Sequence, residues 1–393
     1  MVKKWIKAIA VVGAAAFLFA GCSATTAASS SQAATSASAA ATASVAASAS
    51  ANTAGAALDL NSMSLDQITA EAKKEGQLNT VGMPDSWANW GQTWQDITSK
   101  YGIKHTDKDM SSAEELAVFQ SEGQNATKDL GDIGMSFGPQ AVSQGLTQPY
   151  KTTHWSDIPD WAKDKDGNWI IGYYGTISIM TNTKLVPTAP KSFQDILNGT
   201  YKVSIGDVTK ASQAQCAVLA AAVALGGSET NLKPGIDFFA KLAQQGRLDK
   251  GDLTIDRLQK GEVAVAFLWD YNALGYKQQI KASDPSSSFE VNIPSEGSIQ
   301  SGYCTVINKY SKNPAAAALA REYILSDAGQ INLARGFAKP IRSNVTLPDD
   351  VKAQMISNDQ YKNARIIKDM EGWAATAKTI GNTWQDQVIA VAK

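Results

Sequence analysis

The sequence predicts an α/β protein, a mixed or parallel sheet with helices on its faces. Three observations point there. Capped amphipathic helices alternate with short apolar strands from Leu58 to the C-terminus. That stretch is long enough for one large α/β unit or for two lobes. Its composition is that of an ordinary globular protein, and it carries no internal repeat.

The first residues belong to a different class. Lys3, Lys4 and Lys7 precede "AIAVVGAAAFLFAGC", and hydrophobicity stops after Cys22. A basic start, an apolar run and small residues at its end make a secretory signal, residues 1–22. The run is shorter than the roughly 20 residues that span a bilayer. "LFAGC" resembles a bacterial lipoprotein box with Cys22 as the lipid-modified residue, although Phe19 stands where Leu is usual. A plain export signal with an incidental cysteine is the alternative. Residues 23–57 are almost wholly Ala, Ser and Thr without charge. Such a segment has too little large apolar surface to offset its ordering entropy, so a disordered tether spanning about 30 Å is expected.

The body then reads in order. "SLDQITAEAKKEG" is a helix with Ser64 as N-cap and Gly76 as C-cap. "QLNTVGM" is a strand, "PDSWANWGQTWQDITSKYG" a loop and helix, and "IKHTDKDM" a second strand. "DLGDIGMSFGPQAVSQG" reads as strand, loop and helix, and "WIIGYYGTISIMTNTKLV" as a long strand region. "SFQDILNG" is a short helix, "YKVSIGDV" a strand, and "SQAQCAVLAAAVALGG" a helix closed by Gly226 and Gly227. "GIDFFAKLAQQG" is another helix; "VAVAFL" and "GYCTVIN" are strands. "NPAAAALAREYILSDAGQINLARG" is a helical pair with Asn313 as cap and Pro314 at the first helical position.

Charge and rare residues exclude several functions. Lys and Arg number 36 and Asp and Glu 37, a net charge of -1, which argues against a nucleic-acid partner held by a basic surface. Beyond Cys22 only Cys216 and Cys304 remain, which make neither a disulfide framework nor a zinc site. A buried free thiol is expected for Cys216. His105 and His154 are the only histidines, too few for a nucleophile paired with a histidine base. Metalloprotease helices and phosphate loops are absent from the sequence. No enzyme activity, cofactor or metal is expected. A glycosidase with two carboxylates leaves no sequence trace and stays open as a different class, as does a ligand sensor.

Four loops leave the carboxyl ends of strands with aromatic, hydroxyl and amide groups, at the edge where open α/β sheets bind ligands. The first holds Trp87, Asn89 and Trp90; the second Ser136 and Phe137; the third Thr209, Ser212 and Gln213; the fourth Trp269, Asp270 and Tyr271. Trp87 and Trp90 either pack the helix start or stack on a ligand. Ser136 suits a cap for the helix near Pro139. Thr209 or Ser212 suits an N-cap whose free N–H groups also attract an anion. Tyr173 and Tyr174 alternate across their strand, so at most one faces a cleft, and Tyr174 is the candidate. Asp270 is either an N-cap or the carboxylate partner of a cation held among aromatics.

These blocks have a familiar order. "AKKEGQLNTVG", "DLGDIGMSFGPQAV", "GYYGTISIMTNTKLV", "SFQDILNGTYKVSIGD", "GIDFFAKLAQQG", "LQKGEVAVAFLWDYNAL", "KNPAAAALAREYILSDAGQ" and "GFAKPIRSNVTLP" together resemble the extracellular solute-binding proteins of bacterial ABC importers. The nearest branch is that of ferric-iron, polyamine, thiamine and phosphonate binders. The resemblance implies a type II periplasmic-binding-protein fold, two lobes joined by two crossing strands. Lobe 1 would comprise residues 58–176 and 304–393, and lobe 2 residues 177–303. It implies a monomer that closes on a small solute, an ABC permease and ATPase as partners, and a lipid anchor at Cys22 outside the membrane. Ferric-binding relatives carry adjacent tyrosines where this chain has Tyr271 and Asn272, which argues against iron. Trp87, Trp90, Trp269 and Asp270 favour an organic amine.

Overall fold

The computed structural model describes residues Leu58–Lys393. The expected signal segment, the lipid site at Cys22 and the tether lie outside the described residues.

The chain begins with helix α1 (Leu65–Glu75), β1 (Gln77–Val81), α2 (Trp90–Tyr101), β2 (Lys104–Lys108), α3 (Ser112–Glu122), β3 (Leu130–Gly134), α4 (Gly138–Ser143) and β4 (Thr147–Gln148). The long β5 (Trp169–Asn182) leads to α5 (Phe193–Asn198), β6 (Val203–Ser204), α6 (Ser212–Ala224), α7 (Lys233–Gln244), β7 (Leu248–Asp249), α8 (Ile255–Gln259), β8 (Val265–Trp269), α9 (Asp270–Ser283) and β9 (Phe289–Asn292). β10 (Ser298–Asn308) returns, followed by α10 (Pro314–Leu325), α11 (Asp327–Arg335), β11 (Lys339–Pro340), α12 (Asp349–Lys352), β12 (Ala364–Ile366), α13 (Met370–Ala377) and α14 (Ile380–Trp384). Ser64 and Gln67 form a reciprocal capping box on α1, and Gly76 closes it at φ 66°, as the sequence predicts.

Strand order runs β2-β1-β3-β10-β5-β8-β6-β7. In the first lobe β1 lies parallel to β2 and β3, and β10 pairs antiparallel with β3 and β5. In the second, β6 lies parallel to β7 and β8, and β8 and β9 pair antiparallel with β5. Up to Thr176 β5 pairs with β10; from Ile177 it pairs with β8. β5 therefore carries the chain out of the first lobe, and β10 brings it back. Every residue of "WIIGYYGTISIMTN" except Tyr174 is buried, as a β-branched and aromatic run covered on both faces should be.

Among the described residues no helix is long and apolar enough to cross a membrane. Cys216 and Cys304 are free and buried. The end of the tail departs from expectation, because it packs on the second lobe. Trp384 packs edge-on against Phe239 of α7 at 5.4 Å, and the Lys393 N–H donates to Ala243 O at 3.0 Å. Arg365 pairs with Glu229 through two contacts, at 2.6 and 3.1 Å. Burial of Trp384 and Val388 beside α7 explains the placement, while α13 packs against the turn Met135–Phe137 of the first lobe.

Candidate functional site

A cavity of about 290 Å³ lies between the lobes. The first lobe contributes Gly82 and Trp87 after β1, Asp109, Met110, Ser111, Ser112 and Glu114 after β2, Asp132 of β3, and Tyr303 of β10. From the second lobe come Gly206, Asp207, Lys210, Ala211, Ser212 and Gln213 after β6, Asp252 and Leu253 after β7, and Leu268, Asn272 and Tyr276 at β8 and α9. Most of these groups sit at or beyond the carboxyl ends of parallel strands, where the sheet leaves room for a ligand.

Contacts across the cleft hold the lobes together. Trp87 Nε1 donates to Tyr276 Oη at 3.0 Å, Lys210 Nζ pairs with Glu114 Oε1 at 3.1 Å, and Gln279 Nε2 donates to Ser86 O at 3.1 Å. Gly134, at the end of β3, faces Ser212 so closely that a β-carbon there would overlap the serine side chain.

The charge of the lining is lopsided. Asp109, Glu114, Asp132, Asp207 and Asp252 stand against Lys210 alone. Backbone and hydroxyl donation from Ser111, with Lys210 beside it, holds Glu114 down at about 2. Burial raises Asp109, and the neighbouring Asp107 and Glu114 charges raise it further.

Asp132 is the most unusual of the set. It lies in "LGDIG", a strand buried along its whole length. Its Oδ2 accepts from Tyr173 Oη at 2.6 Å, while Oδ1 has no partner. Burial pushes its carboxyl up to about 8, the Tyr173 hydrogen bond pulls the other way, and the Asp107 charge adds to the rise. Glu115, equally buried, accepts from the Asp132 N–H at 2.9 Å and is raised well above the carboxylate range, chiefly by burial. Aromatic rings close the space behind Asp132. Tyr173 stacks on Tyr303 at 6.1 Å and meets Tyr271 edge-on at 5.5 Å, and Trp269 Nε1 donates to Tyr303 Oη at 3.3 Å. Asn272 Nδ2, on the second lobe's side, is buried without a partner.

Of the residues expected at a ligand, Trp87, Ser212 and Gln213 line this cavity. The others lie elsewhere. Asn89 adopts φ 60° and donates to Asn332 Oδ1 at 2.8 Å inside the first lobe. Trp90 is fully buried and stacks on Trp94 at 5.2 Å, so of its two readings the structural one holds. Ser136 and Phe137 are buried in a 3-10 turn against α13, and Ser136 caps nothing, since Phe137 holds the N-cap position of α4. Thr209 donates to Asp207 Oδ1; the N-cap of α6 is Ala211, with Ser212 the first helical residue. Tyr174 is edge-on to Trp161 at 6.2 Å.

Trp269, Asp270 and Tyr271 are buried behind the cavity wall. Asp270 Oδ1 accepts from the N–H groups of Thr176 at 2.9 Å and Tyr271 at 3.0 Å, and Oδ2 accepts from Tyr361 Oη at 2.7 Å. A cation does sit among aromatics here, but it belongs to the chain. Lys339 Nζ lies 3.2 Å from the Tyr361 ring centre and 5.8 Å from that of Tyr174. Burial raises Asp270, and the Lys339 charge counteracts the rise. Gly175 makes room, since a β-carbon there would come within 2.6 Å of the Tyr271 ring. Asp270 thus fastens α9 to the crossover strand.

The sequence reading missed Asp109, Glu114, Asp132, Lys210, Asp252, Asn272, Tyr276 and Tyr303. One signal was available: a carboxylate inside the apolar strand "LGDIG" demands a partner. Among the described residues no group of three His, Cys, Asp or Glu is placed to hold a metal.

Two α/β lobes, two crossing strands and a closed cleft between strand ends define a binding protein that shuts on a solute. The chain belongs to the bacterial extracellular solute-binding protein family, whose profile matches residues 125–364. It is the solute-binding component of an ABC transporter, not an enzyme, and acts outside the cytoplasm. Similar solved structures share the type II periplasmic-binding-protein fold. The periplasmic binding protein AfuA from Actinobacillus pleuropneumoniae, with fructose-6-phosphate bound, has a TM-score of 0.66 at 18% identity over 79% of this chain and 98% of its own. Apo ferric ion-binding protein A of Pasteurella haemolytica has a TM-score of 0.61 at 16% identity over 81% and 99%. The Atu4243 GABA receptor has a TM-score of 0.59 at 17% identity over 78% and 96%. No curated protein sequence matches the chain significantly.

Proposed function

We propose that the chain captures a small organic cation in the interlobe cleft and hands it to an ABC permease. One observation carries this reading: Asp109, Glu114, Asp207 and Asp252, with the buried carboxyl of Asp132 beside them, face the cavity against a single lysine, which is itself paired with Glu114. A cation gains from that field, and an anion would have to overcome it. Trp87, Tyr276, Met110 and Leu253 add the apolar and aromatic surface that suits an organic body rather than a bare ion. Tyr271, where iron-binding relatives carry a metal ligand, is buried behind the wall, which disfavours ferric iron. A phosphonate has the start of α6 at Ser212 and Gln213 in its favour, but faces the same carboxylates.

Lobe 1 is proposed to span residues 58–176 and to resume at 304, and lobe 2 to span residues 177–303. Anchoring is proposed through a lipid on Cys22, with residues 23–57 as tether and the protein acting as a monomer.

A thermal-shift screen tests the function. Polyamines, thiamine and small amines are expected to raise the melting temperature, whereas phosphonates, sugars and ferric iron are not. A shift from an anion alone would overturn the reading.

A further inference from the structure

We propose that Asp132 and Asn272 form a two-point subsite for a solute bearing an ammonium group and, a few bonds away, a hydrogen-bond acceptor such as a hydroxyl or carboxylate. This rests on the reading of the cleft as an organic-cation site. Asp132 Oδ1 is a buried carboxyl oxygen with no hydrogen-bond partner, and Asn272 Nδ2 is a buried donor with no acceptor. Both residues line the same cavity, and each is at least nine-tenths buried. Buried polar atoms left unpartnered are costly, so a ligand that satisfies both is selected over one that satisfies one.

The two atoms also belong to different lobes, Asp132 to β3 and Asn272 to α9. A solute with both groups is fully paired only when the lobes meet. Its binding energy therefore favours the closed form, whereas a simple alkylamine engages Asp132 and leaves the Asn272 donor dry.

The ammonium has a further consequence at Asp132. Glu115 from α3, Asp107 from β2, Tyr173 from β5, Tyr303 and Cys304 from β10 and Tyr271 from α9 are the groups around it, and none is cationic. Burial favours the protonated carboxyl as long as no cation faces it. A bound ammonium stabilises the carboxylate, so the proton leaves to solvent as the cation enters.

Titration calorimetry of the full chain with aminobutanol and butylamine, at neutral pH in two buffers of different ionisation heat, tests the subsite. Aminobutanol is expected to bind about tenfold more tightly than butylamine, with proton release visible as a buffer-dependent heat. Asn272→Leu should erase the difference between the amines and keep the proton release; Asp132→Asn should abolish the release. Equal affinity of the two amines for the unaltered chain, or binding without proton release, overturns the proposal. If diamines and thiamine bind while the two amines do not differ, the subsite alone fails. If no cation binds even at millimolar concentration, the organic-cation reading fails and the subsite with it. Should Asp132→Asn not fold, the unaltered chain and Asn272→Leu still decide.

Discussion

Trp87 and Tyr276 are joined across the cleft by a 3.0 Å hydrogen bond, the indole of one lobe donating to the phenol of the other. Tyr276→Phe removes the acceptor and leaves the indole N–H unpartnered whenever the lobes meet. The closed form should lose about 1 kcal/mol, and apparent affinity about fivefold. Calorimetry reads the affinity, and small-angle scattering of the ligand-free protein should report a larger radius. An unchanged radius would mean that the bond does not hold the lobes.

Closure should be blocked by Gly134→Ala. The new methyl would overlap Ser212 of the opposite lobe, whereas the glycine's own backbone angles, φ -58° and ψ 147°, suit alanine. Folding is expected to be preserved and affinity to fall by more than about tenfold. Adding Ser212→Gly should restore binding. Failure of that second change to rescue would place the defect inside the first lobe.

The buried carboxyl of Asp132 makes stability depend on pH. Its folded value, about 8, lies above the ordinary 3.8, so the folded chain holds a proton that the unfolded chain has released. That stabilisation is complete below the ordinary value and is lost as pH rises towards 8, by at most about 1.4 kcal/mol per pH unit. Urea midpoints of the unliganded protein should therefore decline from acid to neutral pH. Asp132→Asn should flatten the decline, leaving the share of Glu115, which has the same sign.

Asp270→Asn separates a structural from a ligand role. The carboxylate accepts from Thr176, Tyr271 and Tyr361 and faces Lys339. An amide cannot accept from all three at both ends. The variant should be destabilised by about 2 kcal/mol with solute affinity nearly unchanged. The opposite pattern in denaturation and binding titrations would return Asp270 to the cleft.

Much of the fold is legible in the sequence because its signals are local. Ser64, Gly76 and Pro314 mark helix ends, and the uninterrupted apolar run of β5 marks a strand covered on both faces. The site is legible only in part. Trp87, Ser212 and Gln213 sit in loops beyond strand ends, and the rule for such loops finds them. Asp132, Tyr303 and Asn272 lie within strands or a helix, where chain position says nothing about what they face. Asp270 shows the limit best. The sequence places it between aromatics, but the cation it faces is Lys339, distant in sequence and brought in by β11.

β5 passes through both sheets, yet none of its residues lines the cavity. Nearly the whole lining comes from segments attached to other strands. Selectivity can therefore drift, residue by residue, while the moving joint stays as it is. A lineage of such proteins could exchange one nutrient for another without relearning how to open and shut.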